Sequence, residues 1–362
     1  MLLKINSNDK MYMRLALSLA SERIGLTGTN PSVGCVIVKN KEIISIGQTG
    51  YGGRPHAENV AINSCEQNLE GSSIYVSLEP CSHFGKTPPC TNKIIKSKIK
   101  KVFYAIDDVD KRVSGKSYKI LKKKKISVFK NILKKEAFNL YKSYFYNKKS
   151  KFPYVTGKLA VSKDFFISNN KKYITNKYSR KFSHLLRYKN QAILISSKTL
   201  NNDNPNLNCR IKGLDNFSPI RIILDSKLNI NINSEIVNTS KIYKTILFYN
   251  KKNKKFNLLK NKGIKLLKAP LNNKNNLDLE YVLKKLKSKN IFYLLIEGGK
   301  ILSSEFIRLK LCNEFYLFKS NTFINNTRCT NVSDLCRKIK YNYKNKNNVN
   351  TYLNKDRLVI YN

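Results

Sequence analysis

Two stretches in the first half decide how this chain is read: Pro55-His56-Ala57-Glu58, and after it Leu78-Glu79-Pro80-Cys81-Ser82-His83-Phe84-Gly85-Lys86-Thr87-Pro88-Pro89-Cys90. One imidazole and two thiols make three ligands, the number with which a catalytic zinc site keeps its fourth position open for a water. Ala57 to Glu66 reads as a helix begun by His56, and a second helix reads from near Cys90. Ile74-Tyr75-Val76-Ser77-Leu78 reads as a buried strand that brings Cys81 beside His56. A helix N-terminus favours a thiolate, and zinc holds thiols deprotonated. Glu58 follows His56 by two residues, near enough to face the water without being a ligand. A carboxylate there can take a proton from water and return it to a leaving amine. Two plainer readings stand beside this one: a structural zinc site closed by His83, and a chance grouping.

The same alternation extends outward. Asn8 or Asp9 caps a helix to about Arg23, with Met13, Leu17 and Ala20 along one face. The apolar runs Val33–Val38 and Ile43–Ile46 meet at Asn40-Lys41 as a hairpin. Lys101–Ile106 is a further strand, and a helix around Lys134–Tyr146 ends in Asn147-Lys148-Lys149-Ser150-Lys151. That polar stretch before Pro153 is a domain boundary. Helix, two strands, then repeated helix and strand call for a mixed sheet covered by helices. In the second half, strands are expected at Tyr154–Val161, Ala192–Ser196, Ile220–Asp225, Thr245–Tyr249, Ile291–Ile296 and Phe315–Phe318. Helices are expected at Lys177–Tyr188, Leu277–Lys289 and Ile301–Leu311. From about Asn321 Asn and Lys dominate, and only Arg357–Tyr361 looks strand-like.

At 362 residues the chain exceeds one ordinary domain of ~100–200 residues, so two are expected. No stretch approaches ~18 consecutive apolar residues, and the run at Met1 breaks too early for a signal peptide, so the expectation is a soluble, cytoplasmic protein with no membrane partner. The formal charge of +46 suggests a polyanion, but 57 of the 69 basic residues are Lys, spread with Asn and Ile throughout. Phosphate and guanine recognition favours Arg. The excess therefore reads as compositional bias, runs such as Lys122–Lys125 read as solvated faces, and no nucleic-acid partner is expected. Eight cysteines in such a chain do not make a disulfide scaffold. Cys35, Cys65, Cys209 and Cys312 read as small core residues, and Cys329 and Cys336 fall in a polar stretch.

His-x-Glu followed by Pro-Cys and a second Cys is the pattern of zinc nucleobase deaminases, although eight residues separate the cysteines here instead of two. With Asn30-Pro31-Ser32-Val33-Gly34-Cys35, the His56–Glu58 trio and Leu78–Cys90, the chain resembles the bifunctional riboflavin-biosynthesis deaminase–reductases, whose deaminase motif carries this long insert. The resemblance implies an α/β chain: a cytidine-deaminase-like αβα domain over 1–148 and a dihydrofolate-reductase-like α/β domain over 153–362. It implies Zn2+ on His56, Cys81 and Cys90, catalysis by Glu58, and substrate contacts at Asn30, His83 and Lys86. Asn30 also reads as a turn residue, and Lys86 as a solvated one.

The second half has no G-x-G-x-x-G, but Ile296-Glu297-Gly298-Gly299 and then Lys300 stand at a strand-to-helix junction. Glycines there let N–H groups approach a phosphate, or simply make a tight turn. The family resemblance continues through Phe152-Pro153-Tyr154, Leu185-Leu186-Arg187, Ser196–Thr199, Asp203-Asn204-Pro205 and Ile223–Ser226. It implies NADPH along Thr199, Asp203, Ser226, and Gly299, Lys300, Ile301, Leu302, Ser303, Ser304 and Glu305. It places the substrate against Lys158, Arg187, Leu207, Arg210 and Glu297. Arg187 and Arg210 suit a 5′-phosphate, while Arg187 can also pair with a carboxylate and Leu207 reads as core. Where the family commonly has glycine, tryptophan and serine, this chain has Ala160 and Tyr173 near the nicotinamide and Lys171 near the substrate; Phe165 also replaces a usual glycine. The implied activity is deamination of a diaminopyrimidine phosphoriboside, then reduction of its ribosyl group. A homo-oligomer through the reductase domain is implied too. The alternatives are a non-catalytic second domain, an RNA-editing deaminase, and an inert binding module.

Overall fold

Asn40 and Lys41 both take positive φ, 50° and 68°, as a two-residue type I′ hairpin requires. They join β1 (Gly34–Lys39) to β2 (Glu42–Gln48). The computed structural model describes residues 5–167, 173–325 and 329–362. Its contacts divide the chain into Met1–Ser150 and Lys151–Asn362, each with its own hydrophobic core.

In the first unit α1 (Ser7–Glu22) starts at Asn6, not at Asn8 or Asp9. Asn6 accepts from the Asp9 N–H, and the Asp9 carboxylate accepts from the Asn6 N–H. Asp9 is thus the third helical residue of a capping box. There follow α2 (Ala57–Asn63), β3 (Ser73–Val76), α3 (Cys90–Lys96), β4 (Lys101–Tyr104), α4 (Lys116–Lys123), β5 (Ser127–Lys130) and α5 (Lys134–Lys149). The sheet runs β2-β1-β3-β4-β5; β1 is antiparallel to both neighbours and the rest is parallel. Sequence reasoning passed over α4 and β5. Only Ser117 and Leu121 of α4 are buried, too few to show a helical period among lysines. Lys122–Lys125 are exposed, as expected.

The second unit contains β6 (Tyr154–Val161), β7 (Phe166–Ile167), α6 (Lys177–Tyr188), β8 (Ala192–Ser196), α7 (Ser197–Asp203), β9 (Ile220–Leu224), α8 (Glu235–Asn238) and β10 (Thr245–Tyr249). It continues with α9 (Lys255–Asn261), β11 (Lys265–Lys268), α10 (Leu279–Lys287), β12 (Tyr293–Ile296), α11 (Lys300–Arg308), β13 (Glu314–Lys319), β14 (Thr330–Asn331), α12 (Ser333–Asn342), β15 (Lys346–Asn348) and β16 (Arg357–Tyr361). Its main sheet is ordered β11-β10-β9-β8-β12-β6-β13-β16-β15. The strands from β11 to β13 are parallel, and β16 and β15 are antiparallel to their neighbours. Ala192 and Leu194 of β8 join one core cluster while Ile193 and Ile195 join the other. Burial on both faces explains why these strands read as unbroken apolar runs.

The Asn/Lys-rich tail holds more structure than its composition suggests. α12 turns Leu335, Cys336 and Ile339 inward, and β16 lies between β13 and β15. Cys329 and Cys336 are buried, and all eight cysteines are free thiols. Phe165 takes φ 63°, a left-handed value that glycine adopts at less cost. Its ring packs against the second unit's core.

Candidate active sites

His56 is the N-cap residue of α2, Cys90 is the first residue of α3, and Cys81 lies in the turn after β3. α2 can lie close on β2 because residue 47 is glycine: a Cβ there would overlap the Ala57 carbonyl oxygen. His56 Nδ1 is 3.5 Å from Cys81 Sγ and 3.4 Å from Cys90 Sγ. All three ligand atoms fall within 4.8 Å of one another. The Cys90 backbone N–H donates to Cys81 Sγ at 3.2 Å. The Cys90 thiol, the His56 ring and this N–H bring the Cys81 thiol down to about 4 against its burial. The neighbouring Cys81 sulfur, together with burial, drives Cys90 up. One nitrogen and two sulfurs, one of them already acidic, fit a zinc ion. Glu58 sits in the first turn of α2 and is 3% exposed. Burial, and after it the charge of Cys81, raises its carboxyl to about 7.

The surrounding turns are tied by hydrogen bonds. Glu79, also buried, accepts from the N–H groups of Asp108, Gly115 and Ser117 and from Ser117 Oγ, so the turn before Cys81 is anchored to the start of α4. Arg54 Nη1 donates to Thr87 Oγ1 at 2.6 Å and fastens the loop between the cysteines. Asn30 Nδ2 donates to the Gly53 carbonyl at 2.9 Å. Two atoms of the loop, Ser82 Oγ and His83 Nδ1, are buried without a hydrogen-bond partner, and Lys86 is exposed on it.

In the second unit a cavity of about 550 Å³ opens at the carboxyl ends of β6, β8 and β12. Adjacent parallel strands deliver loops to one edge, where α/β sheets bind ligands. Lys158, Ser196 and Glu297 come from these three strand ends. Glu297 receives Arg187 Nε at 3.0 Å and Nη2 at 3.1 Å, and Lys158 Nζ lies 3.9 Å away. Burial would raise the Glu297 carboxyl, but Arg187 and then Lys158 outweigh it and hold the group at about 2. Arg187 Nη1 is bound to the Asn208 carbonyl. The fork that suits a phosphate by sequence is therefore committed to Glu297 and Asn208. Gly299 is the N-cap residue of α11, no side chain caps that helix, and a Cβ on Gly299 would meet open space. This cradle fits a phosphate group of a nucleotide.

Residues 153–325 match the RibD C-terminal domain model, and residues 6–106 match the cytidine and deoxycytidylate deaminase zinc-binding region. The riboflavin biosynthesis protein RibD of Aquifex aeolicus is 38% identical over 307 residues, 84% of either chain. The chain belongs to the RibD family. RibD of Actinobacillus pleuropneumoniae is 35% identical over 86% of this chain and 83% of its own. The solved Acinetobacter baumannii RibD is 26% identical with a TM-score of 0.79, covering 98% of both chains. A Thermotoga maritima structure described as a diaminohydroxyphosphoribosylaminopyrimidine deaminase/5-amino-6-(5-phosphoribosylamino)uracil reductase is 28% identical, with a TM-score of 0.80 and 98% coverage of both. Like other RibD proteins, this one is a bifunctional enzyme of riboflavin biosynthesis, with a zinc-binding deaminase half and a reductase half that implies a nicotinamide cofactor. Among the described residues no helix is long and apolar enough to cross a membrane.

On this RibD framework, the second-half residues singled out by sequence fall into three groups. Lys158, Ala160, Tyr173, Arg187, Thr199, Asp203, Arg210, Glu297, Gly299, Lys300, Ile301 and Leu302 line the cavity. Leu207, Ser226, Ser303, Ser304 and Glu305 are not in its lining: Leu207 is buried in the core, the Ser303 hydroxyl donates to the Gly298 carbonyl, and Glu305 pairs with Arg308. Lys171 lies outside the described residues. Phe165 is not a lining residue either, so its bulk is spent on the core. Sequence reasoning passed over Glu79, Arg54, Arg180 and His184. Glu79 stands inside the quoted motif, but nothing in the sequence says which distant N–H groups it will meet.

Proposed function

We propose that the first half deaminates 2,5-diamino-6-(5-phosphoribosylamino)pyrimidin-4(3H)-one at C2. The second half then reduces the ribosyl group with NADPH, giving 5-amino-6-(5-phosphoribitylamino)uracil. The observation that carries this reading is the His56–Cys81–Cys90 cluster around a buried Glu58. The Thermotoga maritima relative is described by the same two reactions.

When bound, zinc supplies a water of lowered pKa. Glu58 accepts that water's proton as its oxygen adds to C2, then passes it to the amino group, which leaves as ammonia. One water is consumed and one ammonia released. A carboxyl poised near neutrality can do both. Ser82 Oγ and His83 Nδ1, buried and unpaired, are offered to the pyrimidine edge, with Asn30 and Lys86 as further substrate contacts. In the second half NADPH, when bound, would supply a hydride for C1′, with a proton going to the ring oxygen as its bond to C1′ opens. Gly299 through Leu302, Thr199 and Asp203 follow the cofactor, with Ala160 and Tyr173 near its nicotinamide. Lys158 and Glu297 order the sugar hydroxyls, Arg187 holds Glu297, and Arg210 faces the phosphate. Positioning supplies much of the rate in such a step. The same reading makes the enzyme cytoplasmic, self-associating through its second half, and without a nucleic-acid partner.

The test follows ammonia release and NADPH oxidation separately on zinc-loaded protein given the diaminopyrimidine phosphoriboside. Both are expected, and Glu58→Gln should lower ammonia release by about 10²–10⁴-fold at unchanged zinc content. Ammonia without NADPH oxidation would sink the reductase half of the reading, and no ammonia from folded, zinc-bound protein would sink the whole.

A further inference from the structure

Lys158 and Glu297 reach the reductase cavity from strand ends, whereas Arg187, which holds Glu297, reaches it from α6. Arg180, Ser183, His184 and Arg187 all line that cavity. Steps of three and four residues along a helix put them on one face. This wall is therefore only as well placed as α6 is against the sheet. Behind it α6 packs through Tyr178, Phe182 and Leu186, with Phe182 edge-on to Phe318 of β13. Apolar contact is non-directional. The rotation and axial position of a helix are set more sharply by hydrogen bonds, whose geometry is narrow.

Such bonds gather at the start of α6, and the C-terminal tail supplies them. Asn176 caps the helix, its Oδ1 accepting from the N–H groups of Tyr178 and Ser179. The cap is itself held: its backbone N–H donates to Asp356 Oδ2 at 2.9 Å, and its Nδ2 to the Leu353 carbonyl at 2.6 Å. The Ser179 hydroxyl donates to the same Asp356 Oδ2 at 2.7 Å. Both Asp356 and Ser179 are buried. A carboxylate at this end of a helix also meets the positive end of its dipole. Asp356 is fixed in turn, because Arg357 opens β16, which pairs with β13, and β13 pairs with β6 through Tyr316 and Lys158. One carboxylate thus joins α6 to the strands that carry Lys158. It stands 180 positions from Asn176, so nothing local in the sequence announces the tie.

We propose that Asp356 is a positioning residue for the reductase reaction. By gripping Asn176 and Ser179 it sets the rotation and axial position of α6, and through them Arg187, about three turns along the helix, and the Glu297 that Arg187 holds. This rests on the reading of that cavity as the reductase site.

The experiment measures KM and kcat for NADPH oxidation with the deaminated substrate on the full chain, with ammonia release and the thermal transition beside them. Asp356→Ala removes the shared acceptor. Well below its thermal transition it should raise KM about tenfold with a smaller change in kcat, while ammonia release stays parental. Asp356→Asn keeps an oxygen in place and should stay within about threefold of the parental KM. Ser179→Ala removes one donor without touching the tail and should raise KM about threefold; added to Asp356→Ala it should contribute less than about twofold, since both act through one contact. A lowered thermal transition with parental KM in Asp356→Ala would make the carboxylate a structural tie only and overturn the proposal. An unchanged KM in Ser179→Ala would overturn it as well, and that variant decides the matter if Asp356→Ala does not fold. A folded parent that releases ammonia but never oxidises NADPH would overturn the reductase reading and this proposal together.

Discussion

The partners at Glu297 show what one residue's neighbours do to its charge. Arg187 stands 110 positions away in sequence, so nothing local announced the pair. His56 and Glu58, two positions apart, announced themselves. A carboxyl held near 2 instead of its usual 4.5 adds stability that is fully present above about pH 4.5 and is lost as pH falls through about 2. Glu297 and Arg187 side chains are each 13% exposed, so little screening applies. The shift corresponds to about 3 kcal/mol. Glu297→Gln should be less stable than the parent by about that much at pH 7, because two cations lose their partner. The gap should close between pH 4.5 and 2, as seen by urea unfolding followed by circular dichroism. A gap independent of pH would refute this account of the pair.

At the scale of elements, what could be read from the sequence depended on periodicity. The buried parallel strands and α6 gave strong patterns and stand at or near their expected bounds, whereas α4 and α12 bury two or three side chains each among lysines and asparagines. Packing between elements left less trace. Nothing about Gly47 in the sequence tells that a helix carrying a metal ligand will lie on it, yet that approach places His56. Gly47→Ala should push α2 off β2 at a cost of about 1–3 kcal/mol. It should also lower zinc content after dialysis against limiting metal, measured with the thermal transition. Full zinc retention at parental stability would mean that the close approach of α2 is dispensable.

At the scale of the whole molecule, the two units have separate cores, and the metal ligands all belong to one of them. Chelation should abolish ammonia release and lower the thermal transition of the first unit, which loses the stabilisation of a bound ligand. NADPH oxidation with pre-deaminated substrate should persist. Its disappearance on chelation would show that the second activity depends on the first site. The composition that dominates a first look, +46 with most of it Lys, decided little about function. A dozen residues around His56 and Cys81 decided much more.

The place of β16 in the large sheet has a consequence for biosynthesis. β13 receives its outer neighbour only from Arg357–Tyr361. On a ribosome the first unit is spelled out by Ser150, while β13, complete at Lys319, ends as an open edge until Arg357–Tyr361 emerge some 40 positions further on, about 2–8 s later at ordinary translation speeds. During that interval each nascent chain carries a finished deaminase half and an unpaired strand on the same polysome, the circumstance in which neighbouring chains pair edge to edge. Slow codons upstream of residue 314 would do no harm; between 319 and 357 they would lengthen the exposure.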